Sequence, residues 1–128
     1  PGFKKLLTLQ ITHLLVKKFE NGDRPLTDIQ ISGHLEIPIR LVHSILFDLV
    51  ASGLVSEIKT DQDKEIAYQP ARDINQFSIQ YVLEALDKTG ADFIPVAKNE
   101  DYQTLSDALN NFSDAMEKSP ANKLLKDI

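Results

Sequence analysis

Apolar residues recur every three or four positions through most of this chain, and the interruptions fall at glycine, proline and capping residues. From Phe3 to Glu20, Leu7, Ile11, Leu14, Leu15 and Phe19 line one stripe, while Lys5, Thr8, Thr12, Lys17 and Glu20 mark the polar side. Leu6, Leu9 and Val16 widen the apolar surface beyond one face. That pattern predicts a helix needing contact on more than one side, and hence a self-association surface. Asn21-Gly22-Asp23-Arg24-Pro25 is a turn.

The stretch from Leu26 to Leu54 predicts two helices, a short turn between them and a glycine stop. Thr27 and Gln30 have the spacing of a capping box, in which each side chain satisfies a backbone N–H that the helix start leaves free, and Leu26 and Ile31 have that of a hydrophobic staple. Glu36-Ile37-Pro38 breaks the first helix, since the residue before a proline is pushed out of the helical region. Proline at the start of the second loses nothing, because its missing N–H has no helical partner there. Val42, Ile45, Leu46, Leu49 and Val50 form that helix's buried face, and Gly53 ends it in the left-handed conformation.

Leu54 to Lys59 then alternates apolar and polar residues, Thr60 to Lys64 is a turn, and Glu65 to Pro70 is a returning strand. A hairpin placed there is a wing. Ser78 caps a further helix, with Phe77 able to staple to Val82, with Ile79, Val82, Leu83 and Leu86 on its inner face and with Thr89-Gly90 as its stop. After a loop containing Pro95, Tyr102, Leu105, Leu109, Phe112 and Met116 make a one-sided stripe with acidic residues between them. Ser119-Pro120 breaks it, leaving Asn122 to Ile128 as an amphipathic tail or frayed end. The expected fold is therefore α+β: a winged helix-turn-helix over residues 1–90, with residues 91–128 a C-terminal helical extension packing on the same domain.

Charge changes this picture. The net charge is −5, but residues 1–60 hold 7 basic against 6 acidic groups (+1) and residues 61–128 hold 7 against 13 (−6). Nucleic-acid binders carry basic patches, so the acidic half disfavours DNA unless it faces away. The chain has no cysteine, which excludes disulfides, thiolate metal sites and thiol catalysis.

DNA readout would use the exposed face of the second helix: Arg40 paired to guanine, His43 or Ser44 on a base or phosphate, and Lys59 and Lys64 of the wing on the backbone. Against it stand Asp48 behind that face and Asp61, Asp63 and Glu65 in the wing. His13, His34 and His43 lie on three different predicted helices without a second ligand at metal-binding spacing, so no metal or cofactor is expected. His13, beside Lys17, reads as a solvated residue. No phosphate loop, nucleophile elbow or hydrolase signature occurs, and no catalytic residue is assigned.

The run LTDIQISGHLEIPIRLVHSILFDLVASGLV, followed by IAYQPARDINQFSIQYVLEAL, resembles the winged helix of IscR-type regulators, in which an arginine/proline, isoleucine–threonine, valine–leucine segment opens the helix after the wing, as Arg72 to Leu86 does here. Three departures stand out. The family's cluster-binding cysteines are absent, so no iron–sulphur cluster is implied; TDQDKE replaces a glycine-rich basic wing; and Glu36 stands where the turn usually has glycine. A second resemblance, carried by LLTLQITHLLVKKF, EIAYQPARDIN and SPANKLLKDI, is to the cytoplasmic C-terminal extension of YihY/BrkB (ribonuclease BN-like) membrane proteins. It implies a chain excised from something longer, with Lys4 and Lys5 just inside a membrane span. The leading expectation is thus a non-catalytic cytoplasmic interaction domain tethered to the inner membrane. It would be a homodimer through its first and last helices, meeting a protein partner or its own membrane domain. The alternative is a DNA-binding regulator of IscR-like type without the cluster.

Overall fold

The structure, a computed structural model, describes residues 2–61, 64–89 and 96–128. Its elements are α1 (Gly2–Glu20), β1 (Leu26–Thr27), α2 (Asp28–Leu35), α3 (Ile39–Ala51), β2 (Val55–Lys59), β3 (Ile66–Pro70), α4 (Ile79–Thr89) and α5 (Glu100–Lys118), with 3₁₀ turns at Ile74–Gln76 and Leu125–Asp127. The fold is α+β, a winged helix-turn-helix carrying additional C-terminal helices. Gln62 and Asp63 of the wing turn, the expected helix stop at Gly90 and the loop around Pro95 lie outside the described residues.

The helix-turn-helix is built by the local chemistry of its ends. Gln30 N–H donates to Thr27 Oγ1 at 3.3 Å, and Thr27 N–H donates to Gln30 Oε1 at 3.0 Å, which completes the capping box of α2. Gly53 follows α3 with φ +77°, as a helix-closing glycine should. Arg72 Nε donates to its carbonyl at 3.3 Å, tying the end of α3 to the segment after the wing. The C-cap of α2 is less comfortable. Glu36 sits there at φ 55°, ψ 40°, a left-handed conformation that costs a residue with a Cβ roughly 1–2 kcal/mol. Glu36→Gly is therefore expected to stabilise the fold by about 1 kcal/mol, read as a higher urea midpoint with unchanged slope.

The hairpin pairs β2 with β3 from Val55↔Pro70 to Lys59↔Ile66. β3 is the middle strand, because Leu26 and Thr27 pair with Tyr68 and Ala67 on its other side. So the residue that caps α2 is also a sheet residue, and the helix-turn-helix is fastened to its wing through the backbone.

The core gathers Ile11, Leu15 and Val16 of α1, Ile31, four residues of α3 (Val42, Ile45, Leu46, Leu49), Leu54, Phe77, Val82 and Leu125. Two details differ from the sequence expectation. Thr8 and Thr12, placed on the polar side of α1, are buried, and Phe19 and Leu6 are exposed. The threonines pass inside because each hydroxyl donates to the carbonyl four residues back, Thr8 to Lys4 and Thr12 to Thr8, both at 2.8 Å. The C-terminal segment is not frayed either. Leu125 is buried, its N–H donates to the Phe77 carbonyl at 2.8 Å, Ile79 N–H donates to Lys123 O at 3.0 Å, and Lys17 Nζ donates to Lys126 O at 2.8 Å.

His13 is a third correction. It is half-buried rather than solvated, and its Nε2 is enclosed without a hydrogen-bond partner among the described residues. Burial, and secondarily the Lys17 ammonium, hold its pKa below the ordinary value of 6.5. The unfolded chain then binds a proton here at higher pH than the folded one, so stability falls as the pH drops through 6.5 and levels off below the folded-state pKa. His13→Gln should shrink the difference between urea midpoints measured at about pH 7.5 and about pH 5.

Candidate nucleic-acid interface

Because Val42, Ile45, Leu46 and Leu49 take one side of α3 into the core, Arg40, His43, Ser44 and Phe47 are turned outward. Arg40 is exposed, and its side chain makes no hydrogen bond or ion pair with any other described residue. Its guanidinium offers its full fork of donors to a ligand.

The other two expected readers have intramolecular partners. His43 Nε2 donates to Asp28 Oδ2 at 2.5 Å, a bond that ties α3 to the first residue of α2. Asp28 also accepts from Ile29 N–H at 2.7 Å, at the start of α2. Ser44 Oγ accepts from Lys4 Nζ at 3.0 Å, and the same ammonium pairs with Asp48 Oδ2 at 3.1 Å. Lys4 therefore belongs to this face, a placement sequence reasoning missed. The contact spans 40 residues of chain, and nothing in local periodicity points to it.

Tyr68 lies at the flank, lining an open groove with His43, Leu46, Phe47, Val50, Ala51 and Glu57. Burial, then the charges of Glu57 and Asp28, push its phenol above the ordinary value of 10.0, so it stays a neutral donor. In the wing, Lys59 is exposed and lines a groove with Arg24, Thr27, Gln30, Asp61 and Glu65. Lys64 is exposed with φ 54°. The structure thus brings Arg40, His43 and Ser44 together on one helix and Lys59 and Lys64 together on the hairpin. Among the described residues, no hydrogen bond or ion pair joins the two sets. No group of three or more histidine and carboxylate side chains among the described residues is placed to hold a metal.

This combination, an outward-facing second helix beside a β-hairpin, defines a winged helix-turn-helix fold. Solved structures share that fold. T. potens IscR superposes with a TM-score of 0.62 at 14% identity, covering 97% of this chain and 84% of that one. CymR, the global cysteine regulator of B. subtilis, gives 0.63 at 18% identity, covering 97% and 91%. Staphylococcus aureus CymR gives 0.61 at 17%, covering 97% and 93%. At these identities the likeness is one of fold. No protein-family model matches the chain, and no curated protein matches it in sequence. None of these findings supports the YihY/BrkB resemblance, and no helix among the described residues is long and apolar enough to cross a membrane. An iron–sulphur cluster held by thiolates does not fit this chain, which has no cysteine.

Proposed function

We propose that the chain is a DNA-binding transcriptional regulator of IscR-like type without an iron–sulphur cluster, and that it works as a dimer. The observation that carries this reading is the outer face of α3, where an unpaired Arg40 stands beside Ser44 and His43 with Lys4 joining them from α1. The acidic composition weighs less here than in the sequence, because two carboxylates at that face are engaged locally, Asp48 by Lys4 and Asp28 by His43, although Glu57 at its flank has no ion pair among the described residues. In this reading residues 1–90 form the DNA-reading unit, with Arg40 on a guanine, His43 and Ser44 on bases or phosphate, and Lys59 and Lys64 on the backbone.

Residues 91–128 then serve dimerisation. α5 contributes no residue to the core, and Leu105 and Leu109 are each 66% exposed on a stripe with Tyr102, Phe112 and Met116. Its hold on the rest of the chain is polar. Gln80 Nε2 donates to Ser113 O at 2.8 Å, Ser113 Oγ bonds to Glu84, and Asn122 Oδ1 accepts from Gln80 N–H at 2.9 Å. A helix left this apolar in water is matched by a second copy. α5 holds five acidic residues and one lysine, while α1 holds four lysines and one glutamate and exposes Phe3 and Leu6, so the two helices complement each other across a dimer. The membrane-tail reading has no observation of its own to favour it.

A gel shift on mixed genomic duplexes at low salt tests the proposal, the expected signature being binding that weakens as salt rises. Arg40→Ala is expected to cost about 1–3 kcal/mol and relax preference at one base, whereas Lys59→Ala weakens all duplexes alike and lowers the salt slope by about one. Unchanged binding by Arg40→Ala removes α3 as the reader.

A further inference from the structure

We infer that Phe47 reads the C5-methyl group of a thymine in the major groove, within about three base-pair steps of the base held by Arg40. The inference rests on the proposed DNA-binding role and adds to it a specificity-determining residue outside the expected polar set.

Phe47 is 74% exposed, more than any other large apolar residue in the described chain. It stands in the middle of α3, on the same outward line as Arg40 and Ser44 and two helical turns beyond Arg40. Leu46, Val50 and Tyr68 flank it to one side, so its ring projects from an apolar base while remaining uncovered. A ring this exposed, in line with the proposed readers, offers an apolar contact to whatever that face binds. In the major groove the one apolar feature of a base edge is the thymine methyl, and phenylalanine is among the side chains that contact it. Two turns of helix advance about 10 Å along its axis. A helix lying along the inclined major groove advances by less than its own length along the duplex axis, so at about 3.4 Å per base-pair step the methyl lies at most about three steps from the Arg40 base. Of the carboxylates beside the ring, Asp48, its sequence neighbour, is paired to Lys4 and Asp28 is bonded to His43. Glu57, which lines the same groove, has no ion pair among the described residues, and its charge is the local cost of bringing a duplex to this ring.

Duplexes selected by the unaltered protein from a random pool are expected to share a guanine and a thymine at one fixed separation of at most about three steps. The test proper replaces that thymine by deoxyuridine, which removes the methyl and leaves base pairing intact. The unaltered protein should bind the uracil duplex about fourfold more weakly for each half-site, and about fifteenfold for a dimer on two. Phe47→Ala should bind both duplexes equally, and Phe47→Leu should keep part of the discrimination. The unaltered-protein arm stands even where a variant folds poorly. Equal binding of thymine and uracil duplexes by the unaltered protein overturns the inference while leaving the DNA-binding reading intact. A Phe47→Ala protein with undiminished affinity and undiminished uracil sensitivity also overturns it, and makes Phe47 a protein contact instead. Failure to bind any duplex at low salt overturns both.

Discussion

For the dimer proposed above, Leu109→Asp together with Phe112→Asp is expected to give a monomer without unfolding it. Both residues are exposed in the single chain, at 66% and 64%, so neither supports the core. A buried leucine or phenylalanine contributes about 1.5–3 kcal/mol to an apolar contact. Losing two of them, and forcing two carboxylates into a stripe already flanked by Asp107 and Asp114, should raise the dimer dissociation constant by about 10² to 10⁴-fold. Sedimentation or light scattering reads the mass, and circular dichroism confirms that helix content is kept. In the DNA-binding reading proposed above, affinity should fall in step, since a monomer grips one half-site instead of two. An unaltered mass would show that α5 meets something other than a second copy.

The largest effect on stability belongs to Phe77→Ala. Phe77 is fully buried, lies against Tyr81 with ring centroids 5.8 Å apart, and accepts the Leu125 N–H that anchors the C-terminal segment. Truncating a buried phenylalanine costs about 3–5 kcal/mol through lost transfer energy and the cavity left behind. For a domain of this size the melting temperature should drop by about 10–20 °C. Phe47→Ala is the matched control, because the same truncation on an exposed face creates no cavity, and its melting temperature should stay within about 2 °C.

These two predictions also mark what was legible beforehand. Phe77 stood out because it precedes Ser78, and the structure shows that serine capping α4 through a 3.1 Å bond from Tyr81 N–H. The stripe on α5 was equally visible, but a stripe only states that a face is apolar, and cannot state whether its own chain covers it. Thr8 and Thr12 illustrate the opposite error. Hydroxyls count as polar in a periodicity, yet inside a helix they can donate to the preceding turn and go dry. β1 was invisible because two residues carry no alternation to detect.

The site divides in the same way. Arg40, His43 and Ser44 could be named because helix spacing alone turns them away from Val42, Ile45 and Leu49. Lys4 and Asp28 could not, since each reaches α3 from another helix. With them came a local view of the charge: Asp28 and Asp48 on this face have partners, while Glu57 at its flank has no ion pair among the described residues.

What the chain determines by itself is whatever depends on neighbours within about four residues: the capping box at Thr27, the closing glycine at Gly53, the buried face of α3 and the alternation of the hairpin. Tertiary structure alone decided that His13 is enclosed, that Leu125 enters the core, that α5 is left uncovered and that Lys4 lies beside Ser44. The reason is range. Backbone hydrogen bonds and side-chain period act locally and leave their mark in the order of residues, whereas burial and ion pairing depend on which distant segments the fold brings together.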